Sequence, residues 1–137
     1  MNEQALLYPL LFKPNLHTVV WGGGQLRPYK GMPPSDEPIG ERWEVSAVPS
    51  SMSVVSNGMW KDLDLGFVIK EMPEAILGKA VNRKYHSQLP LLVKFIDAKK
   101  DLSIQVHPND EMAMREHGKM GKSEMWYVIK AEEGAHL

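Results

Sequence analysis

Apolar and polar positions alternate most regularly over residues 102–107. Leu102, Ile104 and Val106 share one parity; Ser103, Gln105 and His107 share the other. A strand sends successive side chains to opposite faces, so this run predicts a strand with three uncharged polar groups on one face. Pro108 ends it. Residues 89–97 form the strongest apolar run, apolar on both faces apart from Lys94, and predict a core strand. Residues 98–101 make a polar turn, from which 102–107 is expected to return antiparallel. Residues 39–47 predict another strand, with Glu41, Trp43 and Val45 on one face and Arg42, Glu44 and Ser46 on the other. Residues 124–130, headed by Glu124, predict a further one.

Punctuation fills in the rest. Pro9 and Pro14 favour an extended arm or edge strand before the strand-like Thr18-Val19-Val20-Trp21, and Gly22-Gly23-Gly24 then reads as a turn with close backbone approach. Residues 28–40 carry four prolines and two glycines and read as a long loop. Asn57-Gly58 between short apolar runs signals a hairpin, because the pair tolerates the positive φ of a type I′ turn. Asp62 or Asp64 can cap a helix over 65–71. Pro73 opens a second helix, over 73–77, which Gly78 closes. Residues 79–89 read as a polar connection with Tyr85 and His86 on the surface. Asp110 caps a short helix over 111–117 that stops at Gly118. Short strands joined by turns, with helical segments between them, suggest a mainly β sandwich or jelly-roll barrel with a short helical insertion.

Composition narrows the function classes. The chain has 137 residues, 43% hydrophobic and 24% charged, enough for one domain with a core. A formal net charge of −1 supplies no basic excess for nucleic acid or anionic membranes. The apolar stretch 5–12 is short, interrupted by Pro9, and is not expected to span a bilayer. There is no cysteine, so any metal must be held by His, carboxylate, amide or water, and a reducing cytoplasm is compatible. An imidazole and an amide oxygen two residues apart on one strand, His107 and Gln105, can converge on a cation, with Glu124 as a third donor. A lone strand histidine is more often held by ordinary hydrogen bonds, so the spacing by itself leaves both readings open.

Five blocks in order carry a resemblance: Trp21-Gly22-Gly23, Gly40-Glu41-Arg42-Trp43-Glu44-Val45-Ser46, Leu89-Pro90-Leu91-Leu92-Val93-Lys94, Ser103-Ile104-Gln105-Val106-His107-Pro108 and Gly121-Lys122-Ser123-Glu124. Together they resemble the amino-terminal part of a type I mannose-6-phosphate isomerase (phosphomannose isomerase), in its short bacterial form. The resemblance implies a cupin-like jelly-roll barrel, incomplete in this chain, with 1–137 as the amino-terminal portion of one catalytic domain. It implies Zn2+ held by Gln105, His107 and Glu124 and by a later histidine expected beyond Leu137. For these N and O donors Mn2+ and Fe2+ stand beside Zn2+. It implies a substrate pocket lined by Trp21, Ser103 and Lys122, with Lys122 and Glu41 as catalytic candidates. The implied reaction interconverts mannose 6-phosphate and fructose 6-phosphate through a cis-enediol, in the cytoplasm. His17, His86, His117 and His136 are expected not to be ligands. A truncated cupin module that binds metal or sugar phosphate without turnover is the alternative. An iron oxygenase is disfavoured by Gln105 where such a site would want histidine. The 137-residue chain alone is expected to show little turnover and to self-associate through unpaired strand edges.

Overall fold

A computed structural model describes residues 7–136, so Ala5 and Leu6 of the first apolar stretch lie outside the described residues. The chain divides into two compact units, residues 1–102 and residues 103–137.

The first unit is built on three short antiparallel strands, β1 (Asn15–His17), β2 (Glu41–Val45) and β3 (Val93–Ile96), in the order β1-β2-β3. Asn15 lies opposite Trp43 and His17 opposite Glu41; across the other edge Trp43 lies opposite Lys94 and Arg42 opposite Phe95. A bulge between Trp43 and Val45 shifts the register. The expected edge strand forms at 15–17, upstream of 18–21, where the chain instead turns toward Gly22 and Gly23. Those glycines bridge to Ala98 and Ile39. The expected strand at 89–97 narrows to four residues and is half-exposed, since Pro90 offers no amide hydrogen and pairing is confined to β2.

The two faces of this sheet differ. On one, α1 (Leu26–Tyr29) brings Tyr29 against Phe95 and sets Lys30 Nζ 4.2 Å from the Phe95 ring centre. Lys30 also pairs with Glu44 at 3.1 Å. Arg42 Nε stands 3.1 Å from the same Glu44 oxygen without hydrogen-bond alignment. The other face carries His17, Glu41, Trp43 and Lys94.

The helices follow their caps. Asp64 Oδ1 accepts from Phe67 N at 2.7 Å and starts α2 (Leu65–Glu71), which buries Leu65, Val68 and Ile69, one stripe at i, i+3 and i+4. With Ile39, Val55 and Leu26 these form the buried core. Pro73 opens α3 (Pro73–Leu77), and Gly78 closes it at φ +76°. The expected polar connection after it is instead a helix, α4 (Lys79–Tyr85). It buries no residue, so no apolar stripe marks it. Arg83 and Lys84 in its last turn suit the carboxyl end of the helix dipole. The Asn57-Gly58 turn forms, with Gly58 at φ +61°, but it opens a wider loop: Val54 bridges to Asp64 rather than to a residue just beyond the glycine.

In the second unit, Asn109 rather than Asp110 caps α5 (Asp110–His117), its Oδ1 accepting from Met112 N at 2.9 Å, and Gly118 ends it at φ +60°. Neither residues 102–107 nor residues 124–130 form strands, contrary to the pattern. Alternation specifies which side chains share a face, but a strand exists only when its backbone is paired. Among the described residues no ladder partner is present for either run, and Ile104, Val106, Met125 and Tyr127 are 100, 92, 91 and 85% exposed. Among the described residues no helix is long and apolar enough to cross a membrane.

Candidate functional site

The five expected site residues of the second unit lie on two segments that the chain folds together at their ends. Gly121 N donates to Asp110 Oδ1 at 2.9 Å, and Lys122 N reaches Pro108 O at 3.4 Å. A Cβ on Gly121 would fall 2.6 Å from Asn109 C and 2.7 Å from Pro108 O, so this approach of two backbones requires glycine. It sets the Lys122-Ser123-Glu124 segment beside His107.

Glu124 is the meeting point. Its Oε2 accepts from Lys122 Nζ at 2.9 Å, its Oε1 accepts from Trp126 Nε1 at 2.9 Å, and His107 Nε2 stands 3.4 Å from Oε1. The hydrogen bonds from Lys122 and Trp126, with the Lys122 charge and the His107 contact, outweigh slight desolvation and hold the carboxyl at about 2. Gln105 Nε2 donates to Ser103 Oγ at 3.1 Å, leaving the amide oxygen, the end that coordinates cations, without a hydrogen bond among the described residues.

These donors fit a divalent ion in one respect that can be measured. Two ligands each about 2.0–2.1 Å from one tetrahedral ion stand about 3.3–3.4 Å apart. His107 Nε2 and Glu124 Oε1 have that separation, which is long for a hydrogen bond. Lys122 and Trp126 each hold one oxygen of the Glu124 carboxylate and so fix its orientation. The gathering is partial: among the described residues no three His, Asp or Glu side chains converge, and no hydrogen bond joins Gln105 to His107 or Glu124.

Glu41 and Trp21 belong to the first unit. Glu41 Oε1 accepts from Lys94 Nζ at 2.8 Å and Oε2 from Trp43 Nε1 at 2.6 Å. Burial raises the Glu41 carboxyl, but the hydrogen bonds from Lys94 and Trp43 and the charges of Lys94 and His17 outweigh it, and the net shift is downward. His17 stacks on Trp43 with ring centres 4.2 Å apart, lies opposite Glu41 across the strand pair, and has its Nε2 3.0 Å from Ser51 Oγ. Trp21 packs its ring on Gly40, where a Cβ would meet Trp21 Cζ3 at 2.8 Å, and so walls the residue next to Glu41.

Two partners escaped the sequence reading. Lys94 was legible only as the polar exception in an apolar run, and Trp126 only as part of a strand. A shared signal was present in both places: Glu-x-Trp brings an indole N–H to a carboxylate oxygen two residues before it, within β2 at Glu41-Trp43 and outside any strand at Glu124-Trp126.

Comparison with known proteins agrees with these motifs. The family model described as phosphomannose isomerase type I, catalytic domain, matches residues 10–133. A mannose-6-phosphate isomerase of Streptococcus mutans is 40% identical over 129 residues, and one of Bacillus subtilis is 40% identical over 133; each alignment covers 94% of this chain and 39% of the relative. The chain thus spans about two-fifths of the length of these relatives. The crystal structure of the mannose 6-phosphate isomerase from Bacillus subtilis superposes with a TM-score of 0.80 at 36% identity, over 93% of this chain and 39% of that one. A mutant phosphomannose isomerase from Salmonella typhimurium gives 0.68 at 27% identity, over 80% of this chain and 29% of that one. The three-stranded sheet and its helices therefore match part of that cupin-type fold, as an incomplete barrel, and the chain belongs to the type I phosphomannose isomerase family.

Proposed function

We propose that the protein is a mannose-6-phosphate isomerase, a metal-dependent aldose–ketose isomerase in which residues 1–137 form the amino-terminal portion of one cupin-type catalytic domain. The observation that carries this reading is the meeting of His107, Lys122 and Glu124 at one carboxylate. These residues come from the two most specific motifs of the sequence, Gln-x-His-Pro and Lys-x-Glu.

Gln105, His107 and Glu124 would hold one divalent ion, with Zn2+ as the first candidate. When bound, it supplies a Lewis acid for the sugar oxygen on which charge develops as a proton moves between C2 and C1 through a cis-enediol. The other roles fall to the chain's own groups. The Lys122 ammonium is half-exposed at the edge of the cluster, where it can meet a phosphate or an oxyanion. Ser103 Oγ accepts from Gln105, so its own proton is free to be donated to a phosphate oxygen. Trp21 supplies an apolar wall for the sugar. Glu41 is held ionised by Lys94 and Trp43, which suits a hydroxyl acceptor better than a proton carrier, since a strongly ionised carboxylate is a weak base. A hexose-phosphate substrate and a chain without cysteine support a cytoplasmic location.

A coupled assay of fructose 6-phosphate formation from mannose 6-phosphate tests the reading. Glu124→Gln and Lys122→Met should each lose most turnover. Because residues 1–137 span about two-fifths of the relatives, the assay uses the full-length protein that carries them; absence of isomerisation by that protein would reject the activity, and unaltered turnover by its Glu124→Gln variant would reject the site. A second reading, a module that binds metal without turnover, draws on the His107–Glu124 approach being made wholly within residues 103–137. Zn2+ binding without isomerisation would favour it.

A further inference from the structure

The Asn57-Gly58 pair is used twice by the fold, and the two uses together create a chemical liability. Asn57 clamps the amino-terminal arm by both ends of its carboxamide: Oδ1 accepts from Leu11 N at 2.8 Å, and Nδ2 donates to Pro9 O at 3.0 Å. Its main-chain carbonyl accepts from Tyr8 Oη at 3.1 Å, and Tyr8 Oη accepts in turn from Trp60 N at 3.0 Å. Gly58 has φ +61° and lies under the Tyr8 ring, whose Cζ would be 2.3 Å from any Cβ there. Asparagine is needed for the clamp and glycine for both the turn and the tyrosine. Asparagine before glycine is the pairing most open to attack by the following amide nitrogen, because no side chain shields it.

We propose that Asn57 is a deamidation site gated by the arm: docked residues 8–11 hold the carboxamide away from Gly58 N, and release of the arm exposes it to irreversible conversion. The step balances without an outside reagent other than water. Gly58 N attacks Asn57 Cγ; a C–N bond forms, the Cγ–Nδ2 bond breaks, and the amide proton leaves with Nδ2 as ammonia. Water then opens the cyclic imide at either carbonyl, leaving aspartate or isoaspartate. Neither product can re-form the clamp. The Nδ2–H donor to Pro9 O is replaced by a carboxylate oxygen facing a carbonyl. Isoaspartate also lengthens the main chain where Tyr8 binds it. Lys13, which follows the arm, keeps its own ties to Val54 O and to Asp62, so loosening would be confined to the residues before it.

Peptide-mapping mass spectrometry of the full chain, incubated in neutral buffer, measures the conversion. The folded chain should convert about 30-fold more slowly than the chain held unfolded in urea, the factor that two hydrogen bonds of ordinary net strength supply. Tyr8→Phe, which removes the hydroxyl and with it the bonds to Asn57 O and from Trp60 N while leaving the two carboxamide bonds in place, should raise the folded-state rate at least about fivefold, the factor for one bond of ordinary net strength. Equal rates for folded and unfolded chains would overturn the protection. A folded-state rate unchanged by Tyr8→Phe, in a variant whose circular dichroism spectrum matches the parent, would overturn the arm as its gate.

Discussion

Replacing Gly121 by alanine probes how the Lys-x-Glu segment is held to the Gln-x-His-Pro segment. The added Cβ would lie 2.6 Å from Asn109 C, 2.7 Å from Asp110 N and 2.7 Å from Pro108 O. All three are backbone atoms, so no side chain can swing aside to relieve the overlap. Overpacking of this kind costs about 1–3 kcal/mol. The Gly121 N hydrogen bond to Asp110 Oδ1 would be lost as the segments part, adding about 1 kcal/mol. The parting moves Lys122 and Glu124 away from His107. If His107 and Glu124 share an ion, Zn2+ affinity should fall about 10- to 100-fold, the range seen when a ligand loses the groups that orient it. Isothermal titration calorimetry with Zn2+, beside a thermal melt followed by circular dichroism, measures both effects. Gly24→Ala is the control, since a Cβ there meets nothing within 4 Å. Wild-type Zn2+ affinity in Gly121→Ala would refute the reasoning, because it would mean that the ion does not depend on this approach of the two segments.

Three other outcomes follow from the same contacts. Ile69→Ala, at a position 1% exposed, should cost about 2–5 kcal/mol in urea unfolding, and a loss below about 1 kcal/mol would mean that α2 does not anchor the core. Glu41 has its carboxyl lowered from 4.5 by Lys94 and Trp43 despite burial, so its contribution to stability is present above 4.5 and is lost as pH falls through the lower folded value. The stability gap between the parent chain and Glu41→Gln should therefore be widest at neutral pH and close in acid; a gap independent of pH would contradict the ion pair. The exposed Ile104, Val106, Met125 and Tyr127 lie on backbone that pairs with no strand among the described residues, so the 137-residue chain expressed alone should self-associate in analytical ultracentrifugation, and a monodisperse monomer would count against this.

What the sequence disclosed and what it hid have physical reasons. Local signals held at several positions where one residue's chemistry decides the backbone, though the cap of α5 falls on Asn109 rather than on Asp110. Asp64 caps α2, Pro73 and Gly78 bracket α3, and Gly118 stops α5, each where its side chain or lack of one requires. The Glu41 and Trp43 face was legible because strand parity is strict, and the two side chains do bond to each other. Helix α4 was hidden because it buries no residue fully: Val81 and Tyr85 are only half-buried, too weak an apolar stripe to stand out among Lys79, Arg83 and Lys84. Residues 102–107 and 124–130 have strand parity, but pairing is not a local property, and no ladder partner is present among the described residues. The role of Lys94 depends on which strand lies beside β3, which alternation along one strand does not encode. Gly121 stood in the sequence only as the head of the Gly-Lys-Ser-Glu block, and only the return of the chain onto 108–110 reveals why it has no side chain.

The proposed isomerisation depends on one ion held by Gln105, His107 and Glu124. Turnover of mannose 6-phosphate by the protein, measured before chelation, after complete metal removal and after addition of Zn2+, tests it most directly. Turnover should be lost on metal removal and return with Zn2+; turnover that persists in the fully metal-free protein would rule the ion out.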